Sequence, residues 1–156
     1  MTADPLAAAA ASFGIAQVSS DLIALNAGDP LRRSGAELLV LANVSRLLSE
    51  AVLSACPRGS ICFHPSLLPR HRGKRAVAAA IKAGDTFTGV SIFWPDKGAD
   101  TGPIILRSRV EIASNDTPMS LYHAKLVPVG IHCLLAAVAA IEADAAPRIP
   151  QEEAAL

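Results

Sequence analysis

Residues 60–73 read Ser-Ile-Cys-Phe-His-Pro-Ser-Leu-Leu-Pro-Arg-His-Arg-Gly, and this segment constrains the fold more than any other. An apolar strand, Ser60 to Phe63, runs into a turn bounded by Pro65 and Pro69. Proline has a fixed φ and no N–H to donate, so neither residue continues a helix or a central strand. His64 is therefore held at the C-terminal end of the strand, where open α/β sheets bind their ligands. A second loop, Asp96-Lys97-Gly98-Ala99-Asp100-Thr101-Gly102, follows another apolar strand, Gly89 to Trp94. One histidine and one aspartate at the ends of two strands form a candidate proton-handling pair.

The chain has 156 residues, the length of one domain. Hydrophobic residues make up 51% but aromatics only 4%, so the core is expected from close helix–sheet packing with few large side chains. Lys+Arg and Asp+Glu are both 14, for a net charge of zero. That argues against nucleic acid as an obligatory partner, because phosphate binding needs a basic surplus. The local exception is Arg70, His71, Arg72, Lys74 and Arg75. It reads as a solvated loop and first helical turn or as a patch for an anionic substrate tail. Cys56, Cys62 and Cys133 form an odd set without metal-ligand spacing, expected as free thiols in a reducing, cytoplasmic compartment. His71, His123 and His132 likewise show no metal spacing. No basic leader precedes the alanine run Ala7 to Ala11, which is too short to span a membrane. The longest apolar stretch, Ile131 to Ile141, is expected as a buried helix.

Asp4-Pro5 begins a helix closed by Gly14, and Ile15 to Val18 follows as a short strand. Asp21 to Arg33 is polar and turn-rich, with a weak helical tendency. The continuous apolar run Glu37 to Asn43 reads as a strand buried on both faces. Helices are expected over Leu47 to Ala55 and Gly73 to Ala83, the latter capped by Gly84. Thr86 to Trp94 and Ile104 to Ile112 pair as strands around the Asp96–Gly102 loop. A long helix starts after Thr117-Pro118 and is kinked or broken near Ala124 by Pro128. The segment Ala146 to Gln151 is extended. Strands alternating with helices define an α/β layered domain over residues 1–151, with a short tail at 152–156.

The segments Ala3-Asp4-Pro5-Leu6, Gly35-Ala36-Glu37-Leu38, His64 to Gly73, Ser91-Ile92-Phe93-Trp94, Asp100-Thr101-Gly102, Leu121-Tyr122 and Ala146 to Gln151 together resemble the folate-dependent formyltransferase superfamily. Within it the likeness is strongest to the hydrolase domain of the 10-formyltetrahydrofolate dehydrogenases. The resemblance implies a Rossmann-like domain with a mostly parallel sheet and flanking helices. It implies a truncated one, in which the family's opening strand–helix–strand (roughly 30 residues or more) and its C-terminal domain are missing. The strand Glu37 to Asn43 would then carry an open edge, a liability that pairing with a second copy relieves.

The resemblance also assigns roles. His64 falls on the family's catalytic histidine and Asp100 on its catalytic aspartate. Cys62 takes the place of the family's catalytic asparagine. As a thiol it is a weaker donor to a formyl oxygen, or a nucleophile for a covalent route, or a small residue ending an apolar strand. Arg46, Leu47 and Leu48 fall on the folate-lining segment, and Asp96 and Gly98 on the loop that holds the pteridine. Ser66, Leu67 and Trp94 complete the substrate-binding set, with Trp94 equally readable as core. The activity implied is formyl transfer or hydrolysis with 10-formyltetrahydrofolate as donor and no metal. His64 would stabilise the oxyanion and protonate N10, and Asp100 would be the base. A related pocket acting on another acyl donor, and a non-catalytic relic that binds folate or a partner, are the alternatives.

Overall fold

The computed structural model describes residues 28–42, 44 and 46–153. The expected helix before Gly14, the strand Ile15 to Val18, Asn43 and the end of the tail lie outside the described residues. The elements run α1 (Gly28–Arg33), β1 (Leu39–Leu41), α2 (Glu50–Leu53), β2 (Ser60–His64), α3 (Ala76–Lys82), β3 (Phe87–Phe93), β4 (Ile104–Glu111) and a long helix α4 (Pro118–Glu142).

The four described strands form one sheet in the order β1-β2-β3-β4. β1 runs parallel to β2 with Val40 opposite Ile61, while β3 is antiparallel to both β2 and β4. The expected mostly parallel sheet is thus, over these strands, a mixed one. Two local causes account for it. Arg70 and His71, just beyond β2, both bind Asp85, just before β3, so the chain leaves β2 and enters β3 at the same end of the sheet. β3 and β4 are joined directly by the 94–103 loop, and such a connection joins antiparallel neighbours.

The main core lies between the sheet and α4. Ile61, Phe63, Val90 and Ile92 from the strands meet Leu121, Leu126, Cys133, Ala137 and Ile141 from the helix. Each large aliphatic side chain buried there contributes about 1.5–3 kcal/mol. Gly130 sits where an added Cβ would run into the Phe63 ring, so helix and sheet approach closely, as the low aromatic content requires. A smaller cluster of Phe93, Leu68 and Ile104 packs apart from it.

α4 starts at a capping box in which Thr117 and Ser120 exchange side-chain and backbone hydrogen bonds. Pro128 does not break the helix. Residues Leu121–Leu126 widen into a π turn, in which Val127 donates back to the Tyr122 carbonyl. The wide turn absorbs the register of the proline's missing bond. α4 is long and apolar enough to cross a bilayer; its inner face, Gly130, Cys133, Ala137 and Ile141, is buried, and Ile131 and Leu135 on the outer face are exposed.

Candidate active site

β2 carries Cys62 and His64 on one face, two residues apart. The loop beyond it is fixed by its own polar groups. Ser66 Oγ donates to the Arg70 carbonyl at 2.6 Å, and Ser91 Oγ donates to the Ser66 carbonyl while accepting from the Leu68 N–H. The loop thereby turns back, and His71 adopts a left-handed conformation, φ 52°. Its carbonyl oxygen accepts a 2.9 Å hydrogen bond from His64 Nε2. A carbonyl can only accept, so Nε2 carries the proton and Nδ1 is left for the other side of the ring.

The β3–β4 loop supplies the partner. Asp96 Oδ1 accepts from the Gly98 N–H and the Thr101 hydroxyl, closing a tight turn. Asp100 follows in a left-handed conformation, φ 56°. The chain then passes so close to itself that a Cβ on Gly102 would strike the Trp94 carbonyl. Asp100 Oδ2 accepts from the Gly73 N–H at 2.7 Å and lies 3.5 Å from His64 Nδ1. Behind the loop stands buried Gln151. Its amide donates to the carbonyls of Asp100 and Gly102 at 2.8 and 2.9 Å, and its oxygen accepts from Arg72.

Two lobes of a cleft meet at this point. A smaller one of about 190 Å³ is walled by Leu41, Leu47, Leu48, Leu53, Phe93 and Pro95, with Arg46 and the Asp96–Asp100 loop at its margin. A larger one of about 400 Å³ is lined by Pro65, Arg75, Pro118, Met119, Tyr122 and His123. Val44, Cys62, Gly73, Lys74 and Asp100 line both. His64 lines neither; it is buried behind Asp100. Burial first, and the Asp100 charge second, push the Cys62 thiol up to about 12. It is therefore a protonated thiol at neutral pH and a poor nucleophile.

The structure thus brings Cys62, His64 and Asp100 together and sets Arg46, Leu47, Leu48, Asp96 and Gly98 around the smaller lobe. Three residues expected at the substrate, Ser66, Leu67 and Trp94, line neither lobe. Ser66 is fully buried, with its hydroxyl spent on the loop's own backbone. Leu67 is buried against Gly89, where the absence of a side chain lets the loop lie on β3. Trp94 packs in the core, donates its indole N–H to the Pro147 carbonyl at 2.9 Å and carries Arg148 on its ring. Gly73, expected only as a helix start, is a donor to Asp100 from a positive φ of 89°. The glycine interrupting the basic run was the available signal. His123 and Tyr122 reach the larger lobe because the π turn reorients the first turns of α4; no periodicity marks that in the sequence.

Comparison with known proteins identifies the family and the fold. The formyl transferase family model matches residues 14–135. The chain is 43% identical over 122 residues to the human mitochondrial 10-formyltetrahydrofolate dehydrogenase, covering 78% of this chain and 13% of that protein. It is 45% identical over 121 residues to a methionyl-tRNA formyltransferase from Symbiobacterium thermophilum, covering 78% of this chain and 37% of that one. Among solved structures, the phosphoribosylglycinamide formyltransferase of Anaplasma phagocytophilum superposes with a TM-score of 0.80 at 27% identity, covering 92% of this chain and 71% of that chain. The fold of HypX from Aquifex aeolicus, determined with tetrahydrofolic acid, is also shared, with a TM-score of 0.73 at 21% identity over 88% of this chain and 23% of that one. The chain belongs to the formyl transferase family, with a Rossmann-like α/β fold. It spans well under half the length of the dehydrogenases and of the methionyl-tRNA formyltransferase that it matches.

Proposed function

We propose that the chain transfers or hydrolyses the formyl group of 10-formyltetrahydrofolate, with Asp100 and His64 handling the proton. One observation carries the proposal: a single carboxylate, Asp100, lines both lobes of the cleft. A donor in the smaller lobe and a nucleophile in the larger one would meet at its oxygens. The smaller lobe is apolar-walled and edged by loop backbone, which suits a flat heteroaromatic ring. Arg46, exposed at its margin, suits the carboxylates of a folate tail.

The chemistry follows from the pair. A nucleophile, whether water, an amine or a thiol, attacks the formyl carbon and gives its proton to Asp100. The oxygen that becomes negative is met by Lys74, a residue that lines both lobes. Collapse breaks the bond from carbon to N10, and the proton held between Asp100 Oδ2 and His64 Nδ1 goes to the departing nitrogen. Because His64 sits behind Asp100, it acts on the carboxylate's proton and leaves direct contact with the oxyanion to Lys74. The Cys62 thiol, held protonated, takes no covalent part.

The test is tetrahydrofolate release from 10-formyltetrahydrofolate, with and without an added amine or thiol, beside His64→Ala. Turnover lost in the variant supports the proposal, and acceptor dependence separates transfer from hydrolysis. A folded wild type that binds the folate without turning it over would leave a binding protein instead. The same reading expects a homodimer. β1 pairs on one side only among the described strands, and Val40 on it is 45% exposed. Sedimentation as a monomer at micromolar concentration would contradict the pairing.

A further inference from the structure

The carboxylate of Asp85 lies at the junction of α3 and β3, in the turn that closes after Gly84. One of its oxygens accepts from His71 Nε2 and the other from Arg70 Nη2, each at 2.6 Å. It therefore grips two successive residues of the loop that follows β2. The second of these, His71, holds a left-handed backbone that costs an L-residue about 1–2 kcal/mol. A residue persists in that region only where its surroundings fix it. The backbone so fixed is the one whose carbonyl receives His64 Nε2–H.

We propose that Asp85 and His71 are positioning residues for His64: the carboxylate pins the His71 side chain, which holds the His71 backbone left-handed and aims its carbonyl at Nε2. This fixes the His64 tautomer and leaves Nδ1 turned to Asp100. The inference rests on the proposed use of His64, but the geometry it describes is independent of turnover. The hydrogen bond from His71 and the charge of Arg70 hold the Asp85 carboxyl below the usual carboxylate range, so it is an ionised acceptor at neutral pH. The turn that precedes the grip is supported separately, by Ser66 Oγ on the Arg70 carbonyl and the Arg70 N–H on the Leu67 carbonyl. Loss of Asp85 therefore frees His71 while leaving the preceding turn in place.

A loop staple with no influence on His64 would show the same contacts, so the test must read the imidazole itself. Nitrogen-15 spectra of the four histidines in the full chain report which ring nitrogen of His64 is protonated, with His64→Gln for assignment. The wild type is expected to show the Nε2–H form, and Asp85→Ala a mixture of both forms, with kcat reduced about tenfold and KM unchanged. Glycine adopts the left-handed conformation without a clamp. In a His71→Gly background, the Asp85→Ala change is therefore expected to leave the His64 spectrum and kcat unmoved. A His64 signal that ignores Asp85→Ala, or an Asp85 effect of equal size in both backgrounds, would overturn the proposal. Should Asp85→Ala fail to fold, Asp85→Asn, which keeps an acceptor for one of the two partners, gives the same comparison. If the wild type proves inactive, the spectra decide the question alone.

Discussion

The Gly73 N–H donates to Asp100 Oδ2 at 2.7 Å, joining the loop after β2 to the loop after β3 through the oxygen that also faces His64. Gly73 reaches this position with φ 89° and has open space where a side chain would begin. Only the backbone conformation, not crowding, excludes other residues. Gly73→Ala is expected to cost about 1–2 kcal/mol and to swing the N–H away from the carboxylate. Misplacement of a reacting group on this scale lowers kcat on the order of 10- to 100-fold. Steady-state kinetics beside a thermal melt check both effects; unchanged kcat in a destabilised variant would show that the contact is structural only.

Cys62 lines both lobes, yet its thiol is held up to about 12 by burial and by Asp100. At pH 8 about one thiol in ten thousand would be ionised, against roughly a quarter for an ordinary cysteine. Alkylation by iodoacetamide, followed site by site by mass spectrometry, is expected to be far slower at Cys62 in the folded chain than in urea. Cys62→Ala should keep kcat within about an order of magnitude, since no covalent step is lost. Loss of activity in that variant with the fold intact would restore the covalent route.

Gln151 spends its whole amide on the site: two donors on the carbonyls of Asp100 and Gly102, one acceptor on Arg72. Gln151→Ala leaves those buried carbonyls unpaired, at about 1–3 kcal/mol for each group that water fails to reach. Urea unfolding of the variant is expected to show a loss of at least about 2 kcal/mol. A loss below about 0.5 kcal/mol would mean that water replaces the side chain.

Asp116 gives the acid side of the stability profile. The Lys125 ammonium, and then the Ala113 N–H, hold its carboxyl below the usual range. A depressed folded pKa contributes stability above the unfolded value, near 4, and loses it as pH falls through the folded value. Asp116→Asn should therefore melt below the wild type at pH 7, with the gap closing as the pH falls through the lowered folded value. An equal gap at both pH values would place its cause outside ionisation.

The elements that position the site were legible because their signals are local. Prolines ended β2 at His64, and alternation marked β3 and β4 on either side of the Asp96–Gly102 loop. What escaped depends on distant partners. Ser66 and Leu67 look like exposed loop residues until Ser91 and Gly89 on β3 draw them in. Trp94 turns away from the cleft because the Pro147 carbonyl offers its indole a partner. The antiparallel sense of β3 has no local signal: a helix between strands usually marks a parallel crossover, and nothing in the sequence announces that Asp85 returns to Arg70 and His71. Pro128 signalled a break, but a π turn in the preceding residues kept α4 continuous.

The most direct test of the account is Asp100→Asn assayed for tetrahydrofolate release from 10-formyltetrahydrofolate, with folate affinity measured on the same sample. The substitution keeps the shape of the side chain and removes its ability to take a proton. The account predicts folate affinity within a few-fold of wild type and a fall in kcat on the order of 100-fold or more. Wild-type turnover in Asp100→Asn would contradict it.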